Sequence, residues 1–407
     1  MLIDQLNQAA AERAAGALTR RRRAAHTACA PHQTVCVKDG EAHPLLSFCS
    51  NDYLGLASHP TVITAFAEGA QRCGAGSGAF PLANAPSLAH HQLESKLARW
   101  FAPNIPNVQA LYFCTGYMAN LAVLSALGTA DATLFCDKLI HASLIDGALL
   151  ARATMKRYPH CDITALARQL AACNSPLKLI VTDSVFSMDG DMAPLAEMLA
   201  LAEHHDAWIV VDDAHGFGVL GERGRGALEH LGLTSERLIY VGTLGKAAGV
   251  AGAFVAAHRT IVEHLANEAR PYLHSAAAPP AIVHALLSSL ALIAGHEGRE
   301  RRGHLMQLIG QLRNGLQTLQ VRHPHAGWQL ADSSTPIQPL IVGDNETALS
   351  LSQALENDGI RVTAIRPPTV PNGTSRLRIT LSASHTAADV TRLLDSLSAI
   401  MARQGEA

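Results

Sequence analysis

A doubly wound α/β domain with a mostly parallel central sheet, followed by a smaller α+β unit and preceded by an N-terminal arm, is predicted by two regularities of this chain. From about residue 60 to 275, apolar runs of four to six residues alternate with stretches of helical periodicity, and each run stops at a small or polar residue. After a charged helical segment at 296–319, shorter strand-like and helical runs resume. The expected units are 1–55, a helix and short hairpin; 56–290, the large α/β domain; and 291–407, the small α+β domain.

The first 28 residues place Ile3, Leu6, Ala10, Ala14, Ala17 and Leu18 near helical spacing and run into Arg20-Arg21-Arg22-Arg23. They predict an amphipathic helix packed on the body of the protein. Segment 34–49 alternates around Lys38-Asp39-Gly40, with Val35, Val37, Leu45 and Phe48 as its apolar members, and reads as a hairpin. Strands of the large domain are expected at 110–114, 133–136, 177–183, 208–212, 238–242 and 252–256, with helices between them, as at 195–204 and 279–293. The C-terminal unit is expected to contain strands and helices that include 337–342, 347–358, 362–365 and 376–381.

Composition excludes several function classes. The chain has 407 residues, 16% of them charged, and a net charge of −2, which argues against nucleic-acid or membrane-surface binding. With only 4% aromatic residues it is a poor stacking platform for single-stranded nucleic acid. Its eight cysteines are scattered without a C-x-x-C pair, which rules out the common zinc and thioredoxin spacings, and no metal site is assigned. Apolar neighbours such as those of Cys114 and Cys136 fit reduced thiols in a cytoplasmic protein. There is no apolar signal region at the N-terminus and no uninterrupted apolar run of about 18 residues, so no membrane association is expected.

In open α/β sheets ligands bind beyond the carboxyl ends of the strands, so the residues that follow each expected strand are the candidates for chemistry. After 110–114 comes Thr115-Gly116-Tyr117, a turn opening a helix whose free N–H groups suit a phosphate. After 133–136 comes Asp137-Lys138-Leu139-Ile140-His141, and after 177–183 comes Ser184-Val185-Phe186-Ser187. The run at 208–212 delivers Asp212 and then His215, and 238–242 leads into Thr243-Leu244-Gly245-Lys246. Phosphate donors, two imidazoles, a carboxylate and a lysine therefore face one crevice.

Lys246 is the only ionisable side chain in a long segment of Gly, Ala, Val and Leu. Burying an unpaired ammonium is costly, so such a lysine is either paired with a carboxylate or deprotonated and nucleophilic, as a Schiff base with a carbonyl cofactor requires. A phosphate-binding P-loop is excluded, because the glycine spacing is wrong and Ala247 stands where a magnesium-binding hydroxyl would be. Asp212 closes an apolar run, where its carboxylate either caps a helix or holds a pyridinium nitrogen protonated. Among 21 histidines, His141 and His215 are singled out by their strand-end positions. Gly74-Ala75-Gly76-Ser77-Gly78 mimics a dinucleotide fingerprint, but the residues before it are helical and a turned loop is expected. The four arginines at 20–23 fit a solvated helix end or a site for one acidic ligand.

Ser50-Asn51-Asp52-Tyr53-Leu54-Gly55-Leu56, Val185-Phe186-Ser187-Met188-Asp189-Gly190-Asp191, Asp212-Asp213-Ala214-His215-Gly216 and Thr243-Leu244-Gly245-Lys246 together resemble the α-oxoamine synthases, pyridoxal-phosphate (PLP) enzymes of fold type I. The resemblance extends over nearly the whole chain. Residues 363–371, Thr-Ala-Ile-Arg-Pro-Pro-Thr-Val-Pro, favour the branch that condenses L-alanine with a pimeloyl thioester, carried by acyl carrier protein or coenzyme A. Sister enzymes that join glycine to a short acyl-CoA are the nearest rival, and a PLP-binding scaffold without catalysis is a third reading.

The resemblance implies a homodimeric acyltransferase with PLP on Lys246, which then serves as the proton-transfer base. It further implies that His141 stacks on the ring and orients the amino acid, Asp212 meets the ring nitrogen and His215 the phenolic oxygen. Gly116, Tyr117 and Thr243 would grip the phosphate, with Ser187 near the ring. Arg378 would clamp the amino-acid carboxylate, Arg366 and Thr369 would line the acyl side, and Arg20 would meet the distal carboxylate of the pimeloyl chain. The chain departs from the family in two places. Gly78-Ala79-Phe80-Pro81-Leu82-Ala83-Asn84-Ala85 replaces a glycine- and arginine-bearing loop, and Leu273-His274-Ser275-Ala276-Ala277-Ala278 replaces a hydroxyl-rich stretch.

Overall fold

The computed structural model describes residues 1–20, 22–36, 41–83 and 87–405. The chain opens with α1 (Leu2–Ala15) and the strands β1 (His32–Cys36) and β2 (Ala42–Ser47). Two helices follow, α2 (Pro60–Cys73) and α3 (Leu88–Phe101). Strands and helices then alternate: β3 (Val108–Phe113), α4 (Gly116–Leu127), β4 (Ala132–Asp137), α5 (Ala142–Leu150), β5 (Thr154–Tyr158), α6 (Ile163–Ala171), β6 (Leu177–Asp183), α7 (Leu195–His204), β7 (Trp208–Asp212), α8 (Ala227–Leu231) and β8 (Leu238–Thr243). The series continues with β9 (Ala253–His258), α9 (Arg259–Glu268), α10 (Arg270–Leu273), α11 (Pro280–Ala294) and the long α12 (His296–Arg322). Last come β10 (Gln329–Leu330), β11 (Ile337–Gly343), α13 (Asn345–Asn357), β12 (Ile360–Arg361), β13 (Thr363–Ile365), β14 (Ser375–Thr380) and α14 (Ala387–Gly405).

Two compact units emerge. One comprises 56–187 and 192–302, and its centre is a seven-stranded sheet in the order β3-β9-β8-β7-β6-β4-β5. Strands β4 to β8 are mutually parallel, whereas β9 runs antiparallel to both β8 and β3. Because β9 opposes both neighbours, the carboxyl ends of all the other strands share one edge of the sheet. The order reverses at β4, which has β5 on one side and β6 on the other, and such a reversal opens a ligand crevice. Its central strands are apolar throughout because helices cover both faces: Ile209, Val210 and Val211 are fully buried, as are Ile239 and Tyr240.

The other unit comprises 1–55, 188–191 and 303–407. It holds an antiparallel sheet β10-β11-β14-β13 and a three-stranded sheet β1-β2-β12. Residues 1–55 join the C-terminal residues here because β12 pairs in parallel with β2, Ile360 opposite Leu46 and Arg361 opposite Ser47. Segment 188–191 belongs to this unit through Gly190, which accepts hydrogen bonds from Ser333 Oγ and Thr335 Oγ1. Gly190 has φ +73°, and a Cβ there would come within 2.4 Å of the Ile337 carbonyl, so both backbone and space demand glycine.

Several details differ from the sequence expectation. The N-terminal helix ends at Ala15 instead of continuing to residue 28, and none of its residues is buried. Gly16 stops it, and its apolar side chains Leu2, Ile3 and Leu6 are exposed rather than packed on the body. The turn at Lys38-Asp39-Gly40, together with Val37, lies outside the described residues, although β1 and β2 pair as the hairpin requires. Strand β5 carries Lys156 and Arg157, as an edge strand tolerates, and this charge hides it from an apolar-run reading. The segment 362–365 divides at Val362, because β12 and β13 enter different sheets. Among the described residues no single helix is long and apolar enough to cross a membrane.

Candidate active site

A cavity of about 180 Å³ lies at the shared carboxyl edge of the seven-stranded sheet. Its wall includes Gly116, Tyr117, His141, Asp212, His215, Thr243 and Lys246, so seven of the residues singled out in the sequence meet in one place. Strand register explains the convergence: each follows or closes a strand whose neighbours end at the same level.

Lys246 sits three residues beyond β8, half-buried, with its Nζ 2.8 Å from His215 Nε2. The segment turns back at once, because Gly249 has φ +69° and packs so tightly that a Cβ would lie 2.4 Å from the Ala57 nitrogen. Asp212, the last residue of β7, accepts from the Ala214 N–H at 3.0 Å and from Asn120 Nδ2 at 2.6 Å. Asn120 stands one turn beyond Gly116 on α4 and therefore faces the same way. Its other amide hydrogen reaches Ser143 Oγ at 2.9 Å, and Ser143 Oγ lies 2.7 Å from His141 Nδ1.

His141 caps α5, with Nδ1 accepting the Ser143 N–H at 3.2 Å. That acceptance places the ring proton on Nε2. The surrounding protein lowers the His141 pKa by desolvation; the Asp212 carboxylate opposes the shift and the Lys246 ammonium adds to it. The result is a neutral imidazole on the cavity wall.

At the other end of the cavity, Thr115 caps α4 by accepting the Met118 N–H at 3.1 Å, which leaves the first N–H groups of Gly116 and Tyr117 for a ligand. The Thr243 hydroxyl is beside them, 3.8 Å from where a Cβ on Gly116 would sit. Ser187 is half-buried and is not part of this wall, which reaches only Val185 of its segment.

The wall also contains Asp183, which the sequence reading counted only as the end of a strand. Asp183 of β6 pairs in register with Asp212 of β7 and accepts the His141 N–H at 3.3 Å. Burial, aided by repulsion from Asp212, raises its pKa well above the usual carboxylate range. Of the two neighbouring carboxyl groups, Asp183 is thus the one whose environment favours the protonated form. Its signal in the sequence was its place at the end of an apolar run, parallel to Asp212. Asn120 and Ser143 had none beyond helical spacing from Gly116 and His141.

The remaining expected site residues belong to the other unit. Arg378 on β14 donates to Asn51 Oδ1 at 3.1 Å and Thr380 Oγ1 at 2.8 Å, both neutral partners. Arg376, two residues earlier and on the same strand face, is instead ion-paired with Asp189 at 2.6 Å. Arg20, Arg366 and Thr369 line an open cavity of about 800 Å³ together with Arg23 and Arg361. Arg20 donates to Thr369 Oγ1 at 3.1 Å, and Arg366 donates to the Ala17 carbonyl. Burial and the neighbouring Arg20 lower the Arg366 pKa. Arg23 is paired with Glu356, whereas Arg21 lies outside the described residues.

The two stretches that depart from the family meet each other. The Ala277 N–H donates to the Ala79 carbonyl at 3.0 Å, and just before the first stretch Ser77 Oγ donates to the Ala278 carbonyl at 2.6 Å. Asn84 and Ala85 of that loop lie outside the described residues.

Residues 43–397 match the family of class I and II aminotransferases. The chain is 69% identical over 398 residues to an 8-amino-7-oxononanoate synthase of Cupriavidus pinatubonensis, covering 98% of this chain and 97% of that one. Among solved structures it is similar to a serine palmitoyltransferase holding PLP as its internal aldimine, with a TM-score of 0.89 and 29% identity over 99% of each chain. It is also similar to an 8-amino-7-oxononanoate synthase from Francisella tularensis, with a TM-score of 0.73 and 29% identity over 88% of this chain and 98% of that one.

Proposed function

The chain belongs to the class I and II aminotransferase family and, within it, to the 8-amino-7-oxononanoate synthases; on that premise we propose that it joins L-alanine to a pimeloyl thioester in biotin biosynthesis. The products are 8-amino-7-oxononanoate, carbon dioxide and the freed thiol of the carrier. The observation that carries the reading is the Lys246–His215 contact of 2.8 Å in a cavity whose wall also presents Asp212, a neutral His141 and the open N-terminus of α4.

This donor set fits PLP. Lys246 offers an amine for the aldehyde, Asp212 a carboxylate for the ring nitrogen, His215 an imidazole for the phenolic oxygen and His141 a flat ring to stack on. Gly116, Tyr117 and Thr243 offer N–H and hydroxyl groups for the phosphate, with Ser187 assigned near the ring. When bound, the cofactor supplies an electron sink for the negative charge that develops on the alanine Cα.

The chain's own residues then orient the substrates and move protons. Lys246 Nζ takes the alanine α-proton and returns a proton after carbon dioxide leaves, and His215 Nε2 is close enough to exchange hydrogen bonds with it. Asn120 holds Asp212 and, through Ser143, the His141 ring, so one amide aligns two cofactor contacts. Arg378 clamps the alanine carboxylate, a role for which Arg376 is less suited because it is already ion-paired with Asp189. Arg366 and Thr369 line the acyl side, and Arg20 meets the distal pimeloyl carboxylate. A homodimer is part of this reading.

The test is turnover of purified protein with L-alanine and either pimeloyl-CoA or a pimeloyl carrier protein. Carbon dioxide release with alanine, and none above background with glycine and acetyl-CoA, is expected. The protein is expected to be yellow and Lys246→Ala colourless. Glycine-dependent turnover in place of alanine overturns the substrate assignment, and an unchanged spectrum in Lys246→Ala overturns the Lys246 assignment.

A further inference from the structure

Beyond the cofactor cavity, three side chains of different chemistry meet at the carboxyl ends of β4 and β5. Asp137 closes β4 and is fully buried, and its Oδ1 lies 3.0 Å from His160 Nδ1. Cys161 places its Sγ 3.8 Å from His160 Nδ1 and 3.7 Å from Nε2. One oxygen, one nitrogen and one sulfur donor thus lie within 4.8 Å of one another. We propose that Asp137, His160 and Cys161 form a site for a zinc-type divalent cation, with a water molecule as the fourth ligand.

The three donor atoms are close enough together to be drawn onto one ion. Zinc bonds of about 2.0 Å to nitrogen and oxygen and about 2.3 Å to sulfur, at tetrahedral angles, put N and O about 3.3 Å apart and N and S about 3.5 Å apart. The N–O separation of 3.0 Å differs from that by about 0.3 Å; Sγ lies about equally far from both ring nitrogens, so the Cys161 side chain has to turn toward Nδ1 to complete the site. The mixed donor set selects borderline-soft ions over magnesium or calcium, which prefer all-oxygen sites.

The supports that orient metal ligands are present as well. Asp137 is fixed by the N–H groups of Leu139 and Cys161, both at 2.8 Å, to Oδ1 and Oδ2 respectively. Cys161 adopts φ +53°, unusual for a residue other than glycine, and its bond to Asp137 holds that turn beside His160. The His160 ring stands edge-on to Phe186, with centroids 4.3 Å apart. The His160 side chain is 26% exposed, so an ion has a path in. On binding, the ion takes the place of the thiol proton, which passes to solvent, and of the hydrogen bond between His160 Nδ1 and Asp137, the neutral imidazole then carrying its one N–H on Nε2. The sequence concealed this arrangement because two ligands are adjacent residues and the third stands 23 positions upstream of His160, unlike any C-x-x-C spacing.

Labelling of individual cysteines tests the proposal. Holoenzyme freed of adventitious metal with a chelator is treated with iodoacetamide, with or without equimolar zinc, and each cysteine is followed by peptide mass spectrometry. Zinc is expected to slow labelling of Cys161 by about tenfold or more, since a coordinated thiolate is withdrawn from reaction, while exposed Cys73 is unchanged. Magnesium is expected to have no effect, and His160→Ala, whose fold is checked by its retained cofactor absorbance, is expected to lose the protection. Labelling of Cys161 that ignores zinc overturns the site. So does equal protection in His160→Ala, or protection of every cysteine alike.

Discussion

Replacing Asp183 by Asn distinguishes two carboxyl groups that stand side by side at the ends of β6 and β7. The two residues are paired in register, and side chains so placed begin about 5 Å apart. Two unit charges at that distance repel by about 3 kcal/mol at an effective dielectric constant of about 20. Asp212 has the Asn120 amide and the Ala214 N–H to hold its charge, whereas Asp183 has the longer bond from the His141 N–H. Asp183 is accordingly the one held toward its protonated form, and Asn copies a protonated carboxyl in shape while keeping an acceptor for His141. Cofactor affinity and kcat/KM in Asp183→Asn are expected within about fivefold of wild type, the scale of one neutral hydrogen bond. With Asp212 in its proposed place at the cofactor's ring nitrogen, Asp212→Asn removes one partner of a buried charge pair, worth about 2–5 kcal/mol, so cofactor affinity is expected to fall about 30- to 5,000-fold. Stability supplies a second readout. A carboxyl whose pKa is raised on folding costs stability progressively as pH climbs above its unfolded value near 4. Asp183→Asn removes that cost, so its urea midpoint relative to wild type is expected to rise with pH above about 4. Cofactor titration by visible absorbance and urea unfolding at several pH values are the assays. If Asp183→Asn loses the cofactor as severely as Asp212→Asn, the charge assignment is wrong.

Arg378→Ala is expected to weaken alanine binding about 30-fold or more while leaving the cofactor spectrum intact, whereas Arg376→Ala breaks the half-buried pair with Asp189 and costs about 1–3 kcal/mol in urea unfolding. Equal loss of alanine and cofactor binding in Arg378→Ala would place that arginine elsewhere. Arg20→Ala is expected to raise KM for the pimeloyl thioester without changing alanine binding, and Arg23→Ala, which loses only its contact with Glu356, is expected to leave KM unchanged; the reverse pattern shifts the register of the arginine run. Glu94 accepts the Tyr112 N–H at 3.0 Å, and burial raises its pKa from 4.5 to about 7. That raised value drains stability as pH rises from about 4.5 to 7, by up to about 3 kcal/mol, so Glu94→Gln is expected to be more stable than wild type above pH 7 and to flatten that stretch of the stability curve. A Glu94→Gln protein less stable than wild type at pH 8 would refute this.

Much of the wall of this cavity could be read from the sequence because hydrophobic period marks where strands end, and in a parallel sheet strand ends are neighbours in space. Lys246, Asp212, His141, His215, Thr243 and the Gly116-Tyr117 turn each follow or close such a run, and they line one cavity. Strand β5 escaped the same reading because a sheet edge accepts Lys156 and Arg157 facing water.

What the sequence by itself determined was the order of strands and helices and the residue types delivered to the carboxyl edge of the sheet, since both follow from local periodicity. Only the tertiary structure decided which charged groups satisfy one another. It pairs Arg376 with Asp189 across 187 positions and brings Arg378 to Asn51 and Thr380. It sets Asp183 against Asp212, which pushes the Asp183 pKa up, and it brings Asp137 to His160 and Cys161. The energy of a buried charge depends on the partner within a few ångströms, and that partner is chosen by the packing of segments far apart in the chain.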